Sequence, residues 1–167
     1  MGFGRAVALV VSVLVVLRSF WFAEPYALVQ SVNLVFHEAG HVIFSPLGRL
    51  WSVAGGSLFE VGLPATLALL AMRQRQWSAL GGCLVWMGTA LQSVSVYAGD
   101  AQARALPLVG GQAVIHDWWY LLRHFGALSR DAEVAALLWS GGLAAALIGL
   151  CCLVAGVVQA APRGDRG

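Results

Sequence analysis

From Val134 to Val158 the chain carries no Asp, Glu, Lys or Arg. A run of that length can cross a bilayer core about 30 Å thick as one helix. It is not alone: 59% of the 167 residues are apolar and 11% charged, with a mean hydropathy of +0.78. Soluble domains are nearer half apolar and about a quarter charged, and a chain this short has too little interior to hide the excess from water. These figures exclude an ordinary soluble domain, a disordered chain and a disulfide scaffold. They predict an all-α, polytopic integral membrane protein with the lipid bilayer as its principal partner. The net charge of +2 comes from ten scattered arginines and no lysine, a pattern that excludes a nucleic-acid binder. Cys83, Cys151 and Cys152 lie inside apolar runs without a CxxC pair and are expected as buried thiols.

The sequence divides into one transmembrane domain, 1–161, and a polar tail, 162–167, expected to be disordered. About five spans are predicted, at 6–22, 27–44, 57–72, 77–97 and 134–158. Arg18 near the end of the first can snorkel to the headgroups. A cleaved signal peptide is the rival reading of that segment, but Trp21, Phe22 and Glu24 offer no small-residue cleavage site, which favours a retained helix. The second span stops before Pro46, which disfavours helix in the residue preceding it. The third is expected to follow a turn at Gly55-Gly56 and to kink at Pro64. Gly141, Ala145 and Gly149, four apart, form a small-residue stripe that predicts close approach of another helix. Segment 98–133 reads as re-entrant or interfacial, with a short helix from His116 to Phe125 bearing Trp118, Trp119 and Tyr120, residues that prefer the membrane interface. The arginines divide evenly between the two sides, so they leave the orientation open.

His37-Glu38-Ala39-Gly40-His41 is an HExxH sequence in the C-terminal half of the second span. Residues four apart share a helical face, so both imidazoles can reach one metal ion. Glu38 is then placed beside that ion, where it can take a proton from water. Three such polar side chains on an apolar helix cost several kcal/mol, at a rough estimate, unless they are paired or liganded. A functional metal site is therefore expected here, with Zn2+ as the ion.

An HExxH within a transmembrane helix resembles the site-2 protease family of intramembrane zinc metalloproteases. The resemblance implies that His37 and His41 bind zinc and that Glu38 is catalytic. Gly55-Gly56 is similar to the loop after that motif in the family, where an extended segment can pair with substrate. The family takes its third ligand from an Asp in a Leu-Asp-Gly context two spans later, and no Leu-Asp-Gly occurs in this sequence.

Topology supplies the candidates instead. The second span ends on one side of the membrane, and the start of the third, the end of the fourth and segment 98–133 share that side. Asp117 leads, because a short interfacial helix can tuck it under the site. Asp100, His116 and Glu60 are the alternatives. Asp100 leaves the fourth span where the family's ligand would, and Glu60 lies nineteen residues beyond His41, the spacing of soluble zincins with a Glu ligand. Each also has an ordinary role open to it: helix cap for Asp117, turn former for Asp100, interfacial polar residue for His116, helix-start acid for Glu60. Asn33, one turn before His37, can hydrogen-bond a ligand or substrate. Gln92, Ser93 and Ser95 form a polar stripe that serves as helix glue or as the wall of a wet cavity.

The expected function is that of an intramembrane zinc metalloendopeptidase acting on transmembrane segments of other proteins, in a bacterial inner membrane. A metal-binding membrane protein without hydrolysis, structural or transporting, is the alternative.

Overall fold

The computed structural model describes residues 2–21, 28–109, 111 and 114–160. The polar tail 162–167 and the end of the first predicted span lie outside them. The described elements are helices: α1 (Gly2–Trp21), α2 (Leu28–Phe44), α3 (Arg49–Arg73), α4 (Trp77–Gly99), α5 (Asp117–His124) and α6 (Asp131–Ala160), with 3-10 turns at Ser45–Leu47 and Leu128–Arg130. No strand occurs among the described residues. Four helices, α1, α3, α4 and α6, are long and apolar enough to cross a membrane. The segment predicted as the second span forms a helix of 17 residues, shorter than these four, and the count of about five reduces to four by that measure.

Two local expectations are corrected. Gly55-Gly56 is not a turn: α3 begins at Arg49 and runs unbroken through both glycines, so no extended segment follows the HExxH helix. The real break is at Gly48, whose φ of +96° is open to glycine and strained for other residues. Helix persists through Gly55-Gly56 because α2 lies directly against them. A Cβ on Gly40 would collide with the Gly55 carbonyl, and one on Gly55 would lie 2.6 Å from the Gly40 carbonyl oxygen. Packing against α2 thus outweighs the low helix propensity of the pair. Pro64 sits within α3 and is buried. It removes the amide that would bond the Glu60 carbonyl one turn earlier.

The small-residue stripe on α6 is real and keeps Gly149, with Gly142 in the place expected of Gly141. A Cβ on Gly141 would meet nothing within 4 Å, whereas one on Gly142 would lie 2.8 Å from the Gly88 carbonyl oxygen and one on Gly149 2.7 Å from the Gly81 carbonyl oxygen. The face of α6 that packs on α4 is therefore Gly142, Ala146 and Gly149, and Ala146 is wholly buried. The two glycine pairs lie seven residues apart on both helices, so the antiparallel chains touch twice, backbone to backbone. Small residues at these positions let the two backbones approach this closely. Val16 and Phe20 of α1 close the cluster against Val85, Ala146 and Leu153. Arg5 donates to the Gly156 carbonyl at 2.9 Å, tying the start of α1 to the end of α6.

This register predicts an asymmetry between neighbouring glycines. Gly142→Val and Gly149→Val should each destabilise the protein by about 1–3 kcal/mol through overpacking, read as a lower melting temperature in detergent. Gly141→Val, on the open face, should leave the melting temperature unchanged. Equal effects at 141 and 142 would contradict the register.

Candidate metal centre

Helical spacing puts His37 and His41 on one face of α2, with ring centroids 4.8 Å apart. That face meets α3 at Gly56. A Cβ there would fall 2.6 Å from His37 Nε2 and 2.8 Å from His41 Cε1, so only glycine leaves both rings their place. The third element is α5, whose first residue, Asp117, lies against the pair. Asp117 Oδ2 lies 3.0 Å from His37 Nε2 and 3.1 Å from His41 Nε2. Ligand-capable atoms of His37, His41 and Asp117 all fall within 4.8 Å of one another, a group that could hold a metal ion. No other group of three such residues is found among the described residues.

Hydrogen bonding around the group decides which ring nitrogens face its centre. His41 Nδ1 is 2.8 Å from the Ser52 carbonyl oxygen, which only accepts, so Nδ1 carries a proton and donates it. The Nε2 of His41 then faces Asp117, as does the Nε2 of His37. Two imidazole nitrogens and a carboxylate oxygen meeting at one point need positive charge between them, from protons or from a cation. The spacings of 3.0 and 3.1 Å approach the separation of about 3.3 Å between ligands on a tetrahedral ion with bonds near 2.0–2.1 Å. The donor set, two His and one Asp, suits a divalent transition metal and keeps a position open for water. The residues present therefore fit a metal ion.

His37 Nδ1 lies 3.1 Å from Glu60 Oε2. Glu60 is 3% exposed, midway along α3, far from the helix start where an acid is stabilised by the dipole. A carboxylate on the far ring nitrogen of a ligating His fixes its orientation and raises its basicity. Glu60 thus occupies a supporting place behind His37. Its other oxygen, Oε1, is buried with no hydrogen-bond partner among the described residues.

The remaining alternatives serve α5 and the connection to it. Asp100 accepts from the amides of Ala105 and Leu106 at 2.9 and 3.0 Å and from His116 Nε2 at 3.2 Å, the turn-forming role. His116 caps α5, its Nδ1 accepting from the Trp119 amide at 3.2 Å. Burial pushes the His116 imidazole below its usual range, with Asp100 drawing it back up, in keeping with a neutral ring that donates at one nitrogen and accepts at the other. Asp117 is the first residue of α5 rather than its cap. Burial alone would raise the Asp117 carboxyl, but hydrogen bonds to His37 and His41 hold it below the ordinary range, keeping it ionised.

Sequence reasoning passed over three contributors. The Tyr97 hydroxyl accepts from the Asp117 amide at 3.1 Å, and the Tyr97 ring lies between His37 and His116. Trp118 Nε1 donates to Ser57 Oγ at 3.1 Å, pinning α5 to α3. Ser52 acts through its backbone carbonyl, a role that leaves no mark in a sequence. Tyr97 had a faint signal, as the one aromatic beside Asp100 at the end of α4.

A cavity of about 770 Å3 opens onto the centre. His37, Glu38, His41, Glu60, Tyr97 and Asp117 form its polar part, and residues 106–109, 114 and 115 form much of an apolar wall. Glu38 makes no hydrogen bond among the described residues, leaving its carboxylate free within the cavity. Gln92 and Ser93 line the cavity, while Ser95 bonds its own helix at the Gln92 carbonyl. Asn33 is turned away from it: fully buried, its Oδ1 accepts from Trp86 Nε1 at 2.9 Å, and it joins α2 to α4.

Two substitutions outside the ligand set should weaken metal binding. Glu60→Ala should cost about 10–100-fold in affinity, the usual price of a lost outer partner. Gly56→Ala should abolish retention, because its methyl occupies the space of both rings. Equilibrium dialysis with elemental analysis reads each effect, and unchanged affinity in Glu60→Ala would remove the supporting role.

Comparisons with protein-family models, curated proteins and solved structures return no match to this chain.

Proposed function

We propose that this protein is a membrane-embedded zinc metalloendopeptidase that cleaves peptide bonds in or near transmembrane segments of other proteins. One observation carries the reading: the Asp117 carboxylate meets the Nε2 atoms of both HExxH histidines at 3.0 and 3.1 Å, with Glu38 free in the same cavity. Four long apolar helices, with α2 as a fifth, shorter span among them, support an integral membrane protein, and a bacterial inner membrane is the proposed location. The likeness of the HExxH span to the site-2 proteases supports the protease reading over other metal chemistry.

In this reading His37, His41 and Asp117 hold the ion, and Glu60 and the Ser52 carbonyl hold the two rings. A bound zinc supplies Lewis acidity, which activates water near neutral pH and polarises a carbonyl. Glu38 accepts the proton of the attacking water and returns it to the departing amine. The apolar wall of 106–109, 114 and 115 receives substrate side chains, and Gln92 and Ser93 offer hydrogen bonds to a backbone unwound from its helix. Unwinding is required because a helical backbone keeps its carbonyls bonded.

A metal-binding role without hydrolysis would call for a fourth protein ligand closing the coordination. The obvious source, His116, is already engaged by Asp100 and the Trp119 amide. Glu38 at its motif position also has no use in a purely structural site. Both observations favour the enzyme.

Elemental analysis of the detergent-purified protein should find about one zinc per chain. His37→Ala, His41→Ala and Asp117→Ala should each lose it. Glu38→Gln should keep the metal and lower peptide hydrolysis by about 10²–10⁴-fold. Full hydrolysis by Glu38→Gln would overturn the mechanism, and zinc-free wild type after reconstitution would overturn the site.

A further inference from the structure

Three arginines from three separate elements stack on aromatic rings of α5, two of them on the same ring. Arg49 is the first residue of α3, Arg104 lies in the connection after α4, and Arg123 is in the last turn of α5. Arg104 and Arg123 both stand over the Trp119 ring, at 5.3 and 5.0 Å from its centroid, and Arg49 stands over Tyr120 at 5.3 Å. All three are exposed. Among the described residues none of them pairs with a carboxylate, whereas Arg130 nearby bonds Glu133 at 2.8 Å.

Placing the Arg104 and Arg123 guanidiniums on one ring is unfavourable unless an anion neutralises them. The ring faces take one side of each guanidinium and leave the N–H edges free to donate, the geometry in which arginine recognises phosphate. Arg104 is also held in place by its backbone. Its φ of +50° is a left-handed conformation that costs a non-glycine residue energy. A bond from its amide to the Asp100 carbonyl at 2.7 Å, and the Asp100 carboxylate on the next two amides, lock that turn. The turn thereby fixes where the Arg104 side chain leaves the backbone, and the Trp119 ring takes its guanidinium.

We propose that Arg104 and Arg123 form a binding site for the phosphate headgroup of an anionic phospholipid. The cluster lies at the end of the bundle where α2 and α4 finish and α3 begins, the level of a headgroup if these helices span. Trp119 and Tyr120 are residues of the membrane interface. Phe125, two residues beyond Arg123, is 69% exposed and offers an apolar rim to acyl chains. A free phosphate would make no use of that apolar rim. The site rests on the membrane placement proposed above and not on the metal or on hydrolysis. Its effect is to clamp the connection after α4 to α5, the helix that brings Asp117 to the histidines.

The test is native mass spectrometry of the full chain released from nanodiscs and titrated with phosphatidylglycerol or phosphatidylcholine. Wild type should hold one phosphatidylglycerol at least tenfold more tightly than phosphatidylcholine. The double variant Arg104→Gln/Arg123→Gln should lose most of that preference, with an unchanged melting temperature showing that it is folded. Arg130→Gln, outside the cluster, should keep it. Equal binding of the two lipids by wild type, or an undiminished preference in the double variant, would overturn the lipid site alone. Competition by inorganic phosphate at equal concentration would also overturn it, assigning the arginines to a free anion. Failure of the chain to enter nanodiscs would overturn both the membrane placement and the lipid site.

Discussion

Burying a carboxylate and two imidazoles within an apolar bundle is the constraint that the rest of the structure answers. Asp117 and His37 are 7% and 4% exposed, and each would be costly to bury alone. Together they neutralise one another, and the close meeting of Asp117 with both imidazoles requires a positive centre. The surrounding bonds follow from this need. Glu60 and the Ser52 carbonyl complete the outer nitrogens of the two rings, and the Tyr97 hydroxyl takes the amide of Asp117. No member of the group is left with an arbitrary orientation.

That requirement shapes the helices that carry it. The rings have room only because Gly56 faces them, and α2 lies close enough to α3 only because Gly40 and Gly55 meet. The same residues that lower intrinsic helix propensity in α3 thereby admit the site. On the far side, α4 and α6 are joined by two glycine contacts into a rigid pair. From its end α4 contributes Tyr97 to the centre and Asp100 to the turn that delivers α5. The centre thus sits between a close-packed helix pair and a short helix held by a few hydrogen bonds, of which Trp118 to Ser57 is one. The proposed headgroup site would add a second clamp on that short helix.

The chemistry proposed for the site needs little beyond these parts: three ligating side chains, an unengaged Glu38 and a cavity large enough for a peptide segment. The cavity lining combines polar groups with apolar side chains, as expected for a site that must accept an apolar chain yet act on its backbone.

Much of this was legible in the residues. Apolar run length predicts the helices, because a 3.6-residue helix is the one way to satisfy a backbone locally in an apolar medium. The HExxH spacing places two imidazoles on one face for the same geometrical reason. Pro46 marks the end of α2, though the break itself is made by Gly48. Asp117 was reachable by counting which segments share a side of the bundle. What that counting did not separate were its rivals, since Asp100, His116 and Glu60 share the same region. Three-dimensional packing alone assigned Asp100 to a turn, His116 to a helix cap and Glu60 to the back of His37. The glycines show the same division. Their presence predicts close approach, but which face of α6 is used and whether Gly55-Gly56 bends the chain depend on the partner helix, and a sequence does not carry its partner's position. Local periodicity determined the elements and the chemistry on each; the contacts between elements decided which polar group meets which.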